Sequence, residues 1–103
     1  MAMIELNEDK FEEEVINYKG KVLIDFNAEW CGPCRMLKPA LEKMALEKDN
    51  IKFVSINVDN NENLARKYNV FSIPCLVVIK DGEEINRSVG LISREELVEL
   101  IGE

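Results

Sequence analysis

The chain has 103 residues, 47% hydrophobic and 32% charged, with 13 Lys and Arg against 20 Asp and Glu for a net charge of −7. That length and balance suit one soluble globular domain, expected over residues 1–103, and the acidic surface makes nucleic acid an unexpected partner. There is no histidine, which removes the usual general base, every Cys-His nucleophilic pair and every histidine-containing zinc site.

Met1-Ala2-Met3-Ile4-Glu5 carries no basic region and no long apolar core, so a signal peptide is not expected. No apolar run approaches the roughly 18 residues that span a bilayer, so no membrane association is expected either. The expected compartment is the cytoplasm. There structural disulfides are rare, and a Cys-x-x-Cys pair is catalytic or metal-binding.

Ile4 to Leu6 reads as a short first strand, and Asn7 as the N-cap of a helix that buries Phe11, Val15 and Ile16. Lys19-Gly20-Lys21 ends it. Lys21 to Asn27 is a strand apolar on both faces, as a central strand between helix layers would be. Met36, Leu37, Ala40, Leu41, Met44 and Ala45 recur at helical spacing as far as about Lys48, with Pro39 expected to kink that helix.

Ile51 to Val58 is a further apolar strand, followed by a short helix around Glu62 to Tyr68 packing through Leu64, Ala65 and Tyr68. Cys75 to Lys80 and Glu84 to Val89 flank Asp81-Gly82, a tight hairpin signal. Ser93-Arg94-Glu95-Glu96 is a capping box opening the last helix, which Gly102 closes. The order is β-α-β-α-β-α-β-β-α. Helical crossovers make the early strands parallel and the hairpin makes the last pair antiparallel. The fold class is α/β: a three-layer α/β/α sandwich with a mixed five-stranded sheet and four flanking helices.

The chemistry concentrates in Trp30-Cys31-Gly32-Pro33-Cys34, where a strand meets a helix N-terminus. Two thiols so placed suit disulfide exchange. The competing reading is a zinc or structural pair, for which three cysteines and no histidine would need a carboxylate or a second chain.

Motif and element order together resemble the thioredoxin family over essentially the whole chain. The matching residues include Asp25-Phe26, Pro39, Asn57-Val58-Asp59, Ser72-Ile73-Pro74, the Asp81-Gly82 turn and Val89-Gly90. The resemblance implies a thiol–disulfide oxidoreductase that reduces protein disulfides through a mixed disulfide of Cys31 and Cys34. It implies no bound cofactor or metal, and electrons from a thioredoxin reductase with NADPH or ferredoxin upstream. Disulfide-containing proteins are the expected substrates and a monomer the expected state.

Cys31, ahead of the helix, is the expected nucleophile, since unpaired N–H groups and the helix dipole favour thiolate. Pro33 suits the first turn. Cys34, one turn in and less exposed, is the expected resolving thiol. Asp25 is costly in an apolar strand unless paired, protonated or functional, and the resemblance implies that it assists Cys34 deprotonation. A solvated acid at the strand end is the alternative reading. For Pro74, a strand's first residue is the plain reading; the resemblance implies a cis bond beside the cysteines. It also implies that the Ile73 backbone pairs with substrate, and that Trp30, Val58, Gly90 and Leu91 border a shallow groove.

Two positions depart from the family pattern. Asn27 stands where a tryptophan is usual and Ser55 where a lysine is often found, so the proton route around Asp25 is expected to differ in detail. Ser55 is placed to hydrogen-bond Asp25 without balancing its charge. Cys75 alternates with Val77 and Ile79 and reads as a buried, inert thiol, with a regulatory or dimer-forming role as the alternative. Outside the reductase reading stand an oxidase or isomerase, and a thioredoxin-fold binding subunit of a larger complex.

Overall fold

Alternation along the central strand decides the layering of the computed structural model, which describes residues 2–102. Met1 and Glu103, the ends of the expected domain, lie outside those residues. In strand β2 (Lys21–Asn27), Val22, Ile24 and Phe26 face one way while Leu23 and Asp25 face the other. The first set packs with Phe11, Val15 and Leu64 from helices α1 and α3; α1 is α-helical over Glu8–Phe11 and π-helical over Glu12–Ile16, and α3 is Glu62–Lys67. On the opposite face Leu23 joins Leu37, Leu41 and Met44 of α2 (Gly32–Glu47) and Leu97 and Ile101 of α4 (Arg94–Ile101). Asp25 therefore points beneath the helix that carries the cysteines.

The remaining strands are β1 (Ile4–Glu5), β3 (Ile51–Asn57), β4 (Cys75–Lys80) and β5 (Glu83–Val89). The sheet order is β1-β3-β2-β4-β5, with β1, β3 and β2 parallel and β4 antiparallel to both β2 and β5. This is the expected sandwich. Asp81 and Gly82 form a two-residue turn with φ of 49° and 89°, and a Cβ on Gly82 would come within 2.8 Å of the Ile16 carbonyl. The capping box is also as expected: Ser93 Oγ accepts from Glu96 N at 3.1 Å, and Ser93 N donates to Glu96 Oε1 at 2.9 Å.

Three local expectations need correction. Asn7 occupies the α1 N-cap position but does not cap with its own side chain. Instead the buried Asn61 reaches across, accepting from Glu8 N at 2.8 Å and donating to Asn7 Oδ1 at 3.1 Å and to Asn57 O at 2.9 Å. A remote amide thus satisfies the orphan donor that a local side chain was expected to satisfy. Met36, expected on the buried stripe, is 68% exposed, because the α2 stripe settles on Leu37, Leu41 and Met44. Lastly, strand ends differ by one residue: β1 ends at Glu5 rather than Leu6, β3 ends at Asn57 rather than Val58, and β5 begins at Glu83 rather than Glu84.

Candidate active site

Cys31 is the N-cap of α2, in extended conformation (φ −85°, ψ 110°), and Pro33 sits in the first turn. Its Sγ accepts the Cys34 N–H at 3.2 Å, so a helix-terminal donor points at that sulfur. The two cysteines are joined as a disulfide, with Cα atoms 5.2 Å apart. Cys34 was expected to be the less exposed. In the disulfide both residues are 4% exposed, because each sulfur faces the other and Ala28, Val58 and Ile73 pack around the pair.

The loop before β4 closes over the disulfide. The Ile73–Pro74 peptide bond is cis, and Ile73 O lies 3.9 Å from Cys31 Sγ. Gly90 N donates to Pro74 O at 2.8 Å, which brings the end of β5 and the neighbouring, half-exposed Leu91 alongside. Trp30 is mostly exposed, and its ring is held by a bond from Nε1 to Asp59 Oδ2 at 2.8 Å. Asn57 orients Asp59 in turn, its Oδ1 accepting from Asp59 N at 2.8 Å and from Asn60 N at 3.2 Å. Every groove residue named from the sequence is thus on or next to segments that meet the disulfide. A Cβ on Gly32 would meet nothing within 4 Å, so space alone does not require glycine there.

Asp25 is buried, 3% exposed, and burial pushes its carboxyl up to about 7. Against that rise work a hydrogen bond from Asn27 and the charge of Lys38. Asn27 Nδ2 donates to Asp25 Oδ2 at 3.3 Å, to Asp25 O at 2.9 Å and to Ser55 Oγ at 2.8 Å. Asp25 Oδ1 is buried with no hydrogen-bond partner in the protein. A cavity of about 260 Å³, lined in part by Asp25, Cys34, Asn27, Ser55 and Lys38, connects the acid with Cys34.

The thioredoxin family model matches residues 2–103. The chain is 46% identical to a thioredoxin of Bacillus subtilis over 98% of its length and 96% of the relative's. It is 43% identical to a thioredoxin of Chlamydia trachomatis, covering 93% and 92%. A Chlamydia pneumoniae thioredoxin is 52% identical over 80% of both chains. The chain belongs to the thioredoxin family. Its activity is thiol–disulfide exchange, as a protein-disulfide reductase with a redox-active Cys31–Cys34 pair.

Set against the thioredoxin pattern, the two departures become a single device. Ser55 was expected to bond Asp25, but its hydroxyl instead pairs with Asn27, which stands between Ser55 and the carboxyl. Register puts Ser55 beside Asp25 and Asn57 beside Asn27, so the Asn27 amide reaches diagonally back to Ser55 Oγ at 2.8 Å. The missing β3 lysine is partly replaced from another element, since Lys38 on α2 lines the same cavity. Sequence reasoning missed that residue, because nothing in its spacing reveals a contact between layers.

Cys75 is fully buried and outside the disulfide, with burial pushing its thiol up, which agrees with the inert reading. Among the described residues, no group of three or more His, Cys, Asp or Glu side chains converges as a metal site, and no helix is long and apolar enough to cross a membrane.

Proposed function

We propose that Cys31 is the attacking thiol, Cys34 the resolving thiol and Asp25 the acceptor of the Cys34 proton. One observation carries the division of labour: Cys31 Sγ receives a helix-terminal N–H while Cys34 shares a cavity with Asp25. The Cys31 thiolate attacks one sulfur of a substrate disulfide, and the other substrate sulfur leaves as a thiolate that takes up a proton. Cys34 then gives its proton to Asp25 and attacks the Cys31 sulfur. The mixed disulfide breaks, the second substrate sulfur departs as a thiolate that takes up a proton from solvent, and Asp25 returns its proton to solvent. The substrate has gained two electrons and two protons, and the protein holds the Cys31–Cys34 disulfide.

Substrate main chain pairs with the Ile73 backbone, a recognition mode tolerant of sequence, between Trp30, Val58, Pro74, Gly90 and Leu91. Electrons return from a thioredoxin reductase, with NADPH or ferredoxin upstream. Residues 1–103 act as one domain, as a monomer, in the cytoplasm.

Insulin reduction driven by dithiothreitol or by a reductase system tests the chemistry. Cys34→Ser should accumulate covalent substrate adducts and Cys31→Ser none. Equal trapping by both variants would overturn the assignment of nucleophile and resolver.

A further inference from the structure

A carboxylate that accepts a proton must have one oxygen free to receive it. The two oxygens of Asp25 have different surroundings. Oδ2 accepts from the Asn27 amide, whereas Oδ1 is buried without a partner in the protein. An oxygen already accepting an N–H is the poorer site for a proton, because the proton would meet that donor. The amide has two hydrogens for three acceptors: Ser55 Oγ at 2.8 Å and the Asp25 backbone carbonyl at 2.9 Å brace it, and its reach to Oδ2 at 3.3 Å shares one of those hydrogens.

We propose that Asn27 is a positioning residue for this acid: braced on Ser55, it holds Oδ2 and so leaves Oδ1 as the oxygen that receives the proton. The inference rests on Asp25 being the acceptor of the Cys34 proton. Asn27 touches no reacting atom; it sets which face of the carboxyl is reactive and how readily the acid ionises. Other charged or titratable groups around the cavity are Glu5 of β1, Glu29 in the loop before α2, and Arg35 and Lys38 of α2, with Cys34 itself on the wall. From β4, Cys75 also interacts with Asp25. Lys38 is the cation among these whose charge registers on Asp25, so Asn27 and Lys38 together hold its titration below where burial alone would take it.

The test follows the Asp25 carboxyl by carbon NMR in the full-length oxidised protein, and in parallel the pH profile of mixed-disulfide resolution in the reduced protein. Asn27→Ala should move the Asp25 midpoint upward by roughly half to one pH unit and move the resolution profile the same way. Asn27→Leu keeps the volume without a donor and should do the same, which covers the case where the alanine variant folds poorly. Asn27→Gln, which retains an amide, should return the midpoint toward the wild-type value. An unmoved midpoint in both donor-less variants overturns the role of Asn27. If instead Asp25→Ala leaves the resolution profile unchanged, the assignment of Asp25 as proton acceptor fails, and the Asn27 role in resolution fails with it. A profile that Asn27→Ala still shifts in the Asp25→Ala background also overturns the proposal.

Discussion

Two charged residues are buried in this sheet, and they have opposite settlements. Lys52 on β3 is 8% exposed and well provided for: Nζ donates to Glu14 O at 2.9 Å and Glu14 Oε1 at 2.6 Å, and lies 4.5 Å from the Tyr18 ring centroid. Asp25 on the neighbouring strand β2 has one long bond on one oxygen and none on the other. A buried charge with all its partners belongs to the architecture, here closing the π-helical end of α1. A buried acid left half-satisfied beside a thiol is held in a state that proton transfer can relieve.

The difference predicts opposite pH dependences. The folded Asp25 titrates near 7 against an ordinary 3.8, so the native state binds the extra proton between those values and stability falls as pH rises through them. Glu14, held below the usual carboxylate range by the hydrogen bond and charge of Lys52, contributes stability above 4.5 that is lost as pH falls through its lowered value. One site weakens the fold in base and the other in acid.

The largest expected effect is at the strained site. Asp25→Ala should make the protein about 2–4 kcal/mol more stable at pH 8, with the gain fading toward pH 4, as measured by urea denaturation. The same variant should resolve mixed disulfides roughly 10- to 100-fold more slowly at neutral pH. Clear destabilisation at pH 8 would erase the contrast with Lys52. Next in size, Lys52→Met should lower the melting temperature by roughly 4–8 °C, because the Glu14 carbonyl loses its buried donor. A rise in melting temperature would mean that burying Lys52 costs more than its partners return. Smallest, Glu14→Gln keeps the backbone carbonyl and should lower the melting temperature slightly near neutrality, with the difference vanishing in acid. It should also flatten the acid limb that the wild type shows below pH 4.5.

The contrast also marks what a sequence reader can and cannot see. Cys31, Cys34 and Asp25 were legible because each breaks a local pattern: two thiols at a strand–helix junction, and a carboxylate inside an apolar run. The layering was legible from period-two alternation in β2 and helical spacing in α2. Lys52 was not, since a lysine in a strand reads as a solvated residue until the π turn of α1 presents a carbonyl to it. Asn61 as a remote cap, Lys38 as a charge reaching Asp25, and the triple bond set of Asn27 all depend on contacts between elements. Periodicity carries no information about those contacts. The family resemblance marked Asn27 and Ser55 as departures, yet only the diagonal hydrogen bond between them makes them one device.

Trp30 and Asp25 make the same point within the site itself. The exposed tryptophan is anchored through Asp59 and Asn57, residues that the resemblance matched as a motif without giving them work to do. Asp25 needed no motif to be noticed, but its burial, not its identity, raises its titration.

The most direct measurement is the titration of the Asp25 carboxyl in the oxidised wild-type protein, followed by carbon NMR and assigned by its loss in Asp25→Ala. The expected midpoint is near 7, far above that of an ordinary aspartate. A midpoint near 4 would contradict it.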